Sequence, residues 1–167
     1  MQTFLLLGLL GLALLLQSTA LEFVRVAGMK PDLVMVLVVF HAILRGPREG
    51  AFLGLLGGLA EDVLSGFYLG MNGLSRAVAG YLVGLLSTRV YRESTVLVAG
   101  LTMLVSWGAE GLNYLLLLAL GVSIPPEAAL LNLIFPIGVY NGAVALLFYR
   151  GYQRLGLRGF FDRPGMN

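Results

Sequence analysis

Six apolar runs, residues 4–16, 33–44, 51–64, 69–86, 95–120 and 128–148, make up most of this chain, with only short polar breaks between them. A run of roughly 20 apolar residues spans the hydrocarbon of a bilayer, and a helix there satisfies its own backbone groups. The chain is therefore expected to fold as an all-α, polytopic membrane bundle of six transmembrane helices. Residues 1–149 form a single helical domain in this reading, and residues 150–167 a basic cytoplasmic tail. The second run offers only about 18 Å of helix, so it is expected to pack against other helices, where protein neighbours relax the length requirement.

Hydrophobic residues are 58% of the 167 and charged residues 12%, against about 25% charged in a soluble domain. An ordinary soluble enzyme is excluded. The absence of Cys excludes disulfides, Cys-ligated zinc, iron–sulfur clusters and a thiol nucleophile. His41 is the only histidine, which excludes His-rich metal sites, and its expected role is core packing near a helix end. The single lysine, Lys30, follows no glycine-rich phosphate loop, so ATP hydrolysis has no support. The net charge is +2, but the basic residues are spread through short loops and one tail, which argues against nucleic acid. No catalytic residue, cofactor site or metal site is expected.

Lys and Arg concentrate in cytoplasmic loops. With six crossings and the N-terminus inside, Arg45 and Arg48, Arg89 and Arg92, and the tail arginines all fall on the cytoplasmic side, leaving Arg25 and Lys30 outside beside Glu22 and Asp32. A five-crossing arrangement in which residues 33–44 re-enter satisfies the same charges; six is the working expectation. Ser18 and Ala20 resemble a cleavage site after the first run, but no charged segment precedes it, so a retained first helix is expected.

Gly46, Gly50, Gly54, Gly58, Asp62, Gly66 and Gly70 recur every fourth residue, along one side of a helix. Gly73, Ala77, Gly80 and Gly84 make a second small-residue stripe on the fourth run. Small residues let helix backbones touch, so Gly50, Gly54, Gly58, Gly80 and Gly84 are read as helix-contact positions.

Ionisable groups inside lipid cost about 2.5–3.5 kcal/mol each on insertion scales and need partners. Asp62 and Arg76 flank the tight Ser65-Gly66 hairpin and are expected to pair. Glu61 points about 100° away from Asp62, so the two form no acid–base dyad. Glu110 shares a face with Ser106, Trp107, Asn113 and Tyr114 and is read as a buried acid bonded to a neighbouring helix. Pro136 cannot donate to the carbonyl of Asn132, which predicts a kink, and Asn132 and Asn141 are read as interhelical hydrogen-bonding groups. In the tail, Arg150, Arg154 and Arg158 recur every fourth residue as a cationic strip facing anionic lipid or an acidic protein patch.

The strings Lys30-Pro31-Asp32, Gly58-Leu59-Ala60-Glu61-Asp62-Val63-Leu64-Ser65-Gly66, Leu69-Gly70-Met71-Asn72-Gly73-Leu74 and Gly80-Tyr81-Leu82 resemble the MreD family of bacterial rod shape-determining membrane proteins. The polar end of the first run at Gln17-Ser18 and the segment from Asn132 to Pro136 agree with it. The resemblance implies a non-enzymatic, six-helix scaffold of the cell-elongation machinery in the bacterial inner membrane, with both termini cytoplasmic. It also implies association with the bitopic partner MreC, and through it with MreB filaments and the RodA glycosyltransferase–transpeptidase pair that builds lateral peptidoglycan. The family is similar in fold to the S components of energy-coupling-factor transporters, which implies an inherited cavity. Membrane lipid and a second copy of the chain are further expected partners. The competing class is a ligand-binding transporter subunit using Glu110, Asn113, Asn132 and the Pro136 kink; an intramembrane hydrolase is a distant third.

Overall fold

A computed structural model describes residues 2–19, 30–66, 68–87 and 94–154. Helix α1 spans Gln2–Ser18, α2 Leu33–Arg45, α3 Pro47–Ser65, α4 Met71–Leu86 and α5 Thr95–Ala119. Helix α6, Pro126–Ala129, passes through a π turn, Leu130–Ile134, into α7, Phe135–Arg154. All described regular structure is helical, in the order the apolar runs predict.

Local chemistry sets most of the boundaries. Asp32 caps α2 by accepting from the Met35 amide at 2.7 Å, and Ser94 caps α5 through the Leu97 amide. The polar break expected between the second and third runs shrinks to Gly46. Its φ of +98° turns the chain, and Pro47 starts α3 at once. Arg48 and Glu49 therefore lie in the first turn of α3, because charged residues do not interrupt a helix. Gly66 ends α3 in the left-handed region, and Gly70 opens α4 in the same region.

Helix α2 is the centre of the bundle and touches α1, α3, α4, α5 and α7. Val34, Val38, Val39, Ala42 and Ile43 are completely buried. This central place explains the short second run: a helix wrapped by protein has no need to match bilayer thickness. Most of the core lies between α2, α4, α5 and α7, around Met35, Val39, Ile43, Val83, Val98 and Tyr149.

The outside is apolar. Leu104, Leu115, Leu131 and Leu147 are each more than half exposed, as are Phe52 and Val63, far beyond what a water-facing monomer carries. Two stretches, Thr95–Ala119 and Pro126–Gly151, are by length and composition sufficient to cross a membrane.

The π turn accounts for one departure from expectation. Pro136 has no N–H, and its ring would meet the Asn132 carbonyl in a regular α-helix. The chain widens there instead, and the Phe135 amide bonds to the Leu130 carbonyl, five residues back. The wider turn shifts the phase of the helix. Asn132, expected to be buried, is exposed as a result, whereas Asn141, on the regular part of α7, is 1% exposed.

Candidate functional site

Helices α3 and α4 form the most extensive pair in the molecule, and glycine makes it so. A Cβ at Gly54 would strike the backbone carbonyl of Arg76, one at Gly58 the carbonyl of Asn72, and one at Gly50 the carbonyl of Gly80. From the other side, Gly80 meets the Gly50 backbone and Gly84 meets Pro47. Backbone atoms cannot swing aside, so these positions admit no side chain without separating the helices. The seven-residue row divides: Gly50, Gly54, Gly58 and Asp62 face α4, whereas Gly46, Gly66 and Gly70 serve the turns, all at positive φ.

Asp62 does not pair with Arg76. It is fully buried and accepts from the Gly70 amide at 2.8 Å, the Gly73 amide at 3.2 Å, the Asn72 amide at 3.3 Å and Asn72 Nδ2 at 2.8 Å. Three of those donors are free amides at the start of α4, where a helix attracts negative charge. Asp62 is thus the cap that folds α3 back onto α4, and this explains the Asp62 to Gly73 stretch of the motif. The pairing inferred from sequence fails because the backbone already supplies what the carboxylate needs.

Arg76 turns instead to Asp32 and Glu61. Its Nη2 lies 2.6 Å from Asp32 Oδ2 and 2.5 Å from Glu61 Oε2, and the side chain is only 7% exposed. Gln17, at the end of α1, donates through Nε2 to Glu61 Oε1 at 2.9 Å and accepts through Oε1 from the Val34 amide. The Asp32 amide donates to Asn141 Oδ1 at 2.8 Å, and Asn141 Nδ2 donates to Ser106 Oγ at 3.0 Å. One cluster therefore ties together α1, α2, α3, α4, α5 and α7. Glu61 and Asp62 do face apart, as their 100° offset requires.

A second relay starts from Asp62. Because that carboxylate can only accept, Asn72 Nδ2 must face it, and Asn72 Oδ1 then accepts from Asn113 Nδ2 at 3.0 Å. Both amide orientations follow, and Asn113 Oδ1 is left buried without a partner. Glu110, one turn before Asn113 on α5, forms no ion pair among the described residues. Between the two clusters lies a cavity of about 260 Å³ at the end of the bundle where α1 and α3 finish and α2 and α4 begin, flanked by Glu110 of α5 and Ile137 of α7. Leu14, Gln17, Asp32, Glu61, Arg76 and Glu110 are among the residues that line it. Asn132 is not, so the ligand set of Glu110, Asn113 and Asn132 is not assembled in one place.

His41 is buried near the end of α2, with Nε2 3.4 Å from Glu49 Oε2. Trp107 stacks on Phe135 and donates to its carbonyl at 3.1 Å, in a space that exists because residue 138 is Gly. Arg150 is exposed on α7 and Arg154 is the last residue of that helix; Arg158 lies outside the described residues. Sequence reading overlooked Asp32, Glu61, Asn72 and Gln17 as cluster members. The available signal was that an intramembrane arginine needs acids, and that Asp32 stands before an apolar run as a helix cap does.

These features define an all-helical membrane protein whose intramembrane polar residues bind its own helices to one another. The chain belongs to the MreD family: residues 1–151 match the family described as rod shape-determining protein MreD. No curated protein and no solved structure matches it.

Proposed function

We propose that this protein is a non-enzymatic scaffold of the bacterial cell-elongation machinery in the cytoplasmic membrane. It crosses six times with both termini inside, binds MreC, and with RodA, its transpeptidase and MreB filaments helps organise lateral peptidoglycan synthesis. The family match over residues 1–151 supports the rod-shape role. The observation that supports a single-pass partner is an apolar groove of about 540 Å³ between α1, α2 and α7, lined by Leu9, Leu12, Leu37, Phe40, Leu147 and Phe148 among others. Within a bilayer such a groove suits an apolar helix, through packing rather than charge.

The chain has no cysteine, so single cysteines can be placed at Leu12 and Phe148, both exposed in the groove. Co-expressed with MreC carrying a cysteine in its membrane helix, these variants are expected to cross-link to it, whereas a cysteine at Leu104 on α5 is not. Equal cross-linking from all three positions, or MreC that fails to co-purify, overturns the reading. Reporter fusions at Ala27 and at the C-terminus are expected to read opposite sides; if both read cytoplasmic, the five-crossing arrangement replaces six.

A further inference from the structure

The cavity beside Arg76 is more than a by-product of helix packing. Its lining brings three carboxyl groups, Asp32, Glu61 and Glu110, together with two cationic side chains, Lys30 and Arg76. Arg76 is 6% exposed, and its Nη2 alone serves Asp32 and Glu61; its Nε and Nη1 have no acceptor. On α5, Glu110 lines the cavity and forms no ion pair among the described residues, and one turn further on Asn113 Oδ1 is buried without a donor. The relay from Asp62 through Asn72 prevents the Asn113 amide from flipping to remove its orphan. Buried polar groups are ordinarily satisfied, and here donors and acceptors alike are left without hydrogen-bond partners.

From this arrangement we propose that the cavity binds a primary ammonium carried a few atoms from an oxygen acceptor, the chemistry of an ethanolamine group. The ammonium donates to the Glu110 carboxyl, and the oxygen accepts from Nε and Nη1 of Arg76. At about 260 Å³ the cavity lies below the roughly 300–1,000 Å³ of drug-sized sites, which restricts the ligand to a small head. Leu14, Leu64 and Ile137 supply the apolar part of the lining, and Leu64 is 63% exposed on the apolar outside. That apolar continuation favours a phosphatidylethanolamine head, with the rest of the lipid along the outer surface, over a free amine from solution.

The test is made on the whole chain in nanodiscs of phosphatidylglycerol mixed with phosphatidylethanolamine or with phosphatidylcholine, whose quaternary ammonium cannot donate a hydrogen bond. Native mass spectrometry counts retained lipid, and thermal unfolding reads stabilisation. Phosphatidylethanolamine is expected to be retained and to raise the Tm; phosphatidylcholine is not. Glu110→Gln removes one charge-assisted contact, and the preference is expected to fall roughly tenfold. Leu64→Trp, which crowds the cavity from outside without touching the clusters, covers the case in which Glu110→Gln fails to fold. It is expected to abolish retention with the Tm in phosphatidylcholine unchanged. Free ethanolamine added to the phosphatidylcholine discs separates the two sources: stabilisation by it alone keeps the site and makes its ligand soluble. Equal retention of both lipids with no effect of free ethanolamine overturns the proposal, as does a preference that survives both variants.

Discussion

Removing the Arg76 guanidinium is the most direct probe of how the bundle end is held. Arg76→Met keeps an unbranched apolar stem and leaves Asp32 and Glu61 facing one another with no charge between them. Unit charges 4 Å apart interact by about 4 kcal/mol at an effective dielectric near 20, and Nη2 approaches Asp32 Oδ2 at 2.6 Å with both side chains 7% exposed. Breaking a buried pair by removing one partner costs about 3–5 kcal/mol, and that is the expected loss for Arg76→Met. The sharper measurement is a double-mutant cycle. Asp32→Asn retains the oxygen that caps α2 at Met35 while removing the charge, so its cycle with Arg76→Met isolates the ion pair at about 2–3 kcal/mol. The same cycle with Asp62→Asn is expected to be additive within about 0.5 kcal/mol. Unfolding of the solubilised protein by SDS titration, followed by circular dichroism and by fluorescence of the single tryptophan, Trp107, supplies the free energies. Coupling to Asp62 with none to Asp32 refutes the assignment.

Gly54→Leu and Gly58→Leu are each expected to cost at least about 1–3 kcal/mol by overpacking, because the new atoms meet the Arg76 and Asn72 backbones. Gly100→Ala and Gly111→Ala, with open space around them, should instead stabilise by up to about 1 kcal/mol through helix propensity, and the same denaturation series checks both signs. Asp62→Ala is expected to lose at least about 3 kcal/mol, since it strands the donors of Gly70, Asn72 and Gly73 at about 1–3 kcal/mol each, with Asp62→Asn losing less. Changing Arg150, Arg154 and Arg158 together to Gln should disturb orientation in a protease-accessibility assay, because each near anionic lipid is worth about 1 kcal/mol. Changing Arg154 and Arg158 alone should leave topology intact, and lost partner recruitment with normal topology would make the tail a docking site.

The helices were legible because each depends on residues close in sequence. The apolar runs locate all six segments, and the Gly66 and Gly70 turns sit where residue type demands positive φ. Gly54 and Gly58 could be read as contact positions because a fourfold spacing places them on one side whatever they meet. What was missed was directional. Arg76 has three acids within reach along the chain ends, Asp32, Glu61 and Asp62, and the nearest across the hairpin was the natural choice. Asn132 was phased on a regular α-helix, and the π turn imposed by Pro136 removed that assumption.

Amino-acid order alone thus settles that this chain is helical and apolar outside, because those properties follow from backbone satisfaction and hydrocarbon burial, which need no knowledge of the partner helix. Which acid neutralises Arg76 is a different kind of question. Asp32 stands 44 residues away, and it meets the guanidinium only because α2 occupies the middle of the bundle and Asp62 is already saturated by the amides of α4. A carboxylate's partner is chosen by which unsatisfied donors surround it in three dimensions, and a helix rotated by one residue, or widened by one turn, changes that set entirely.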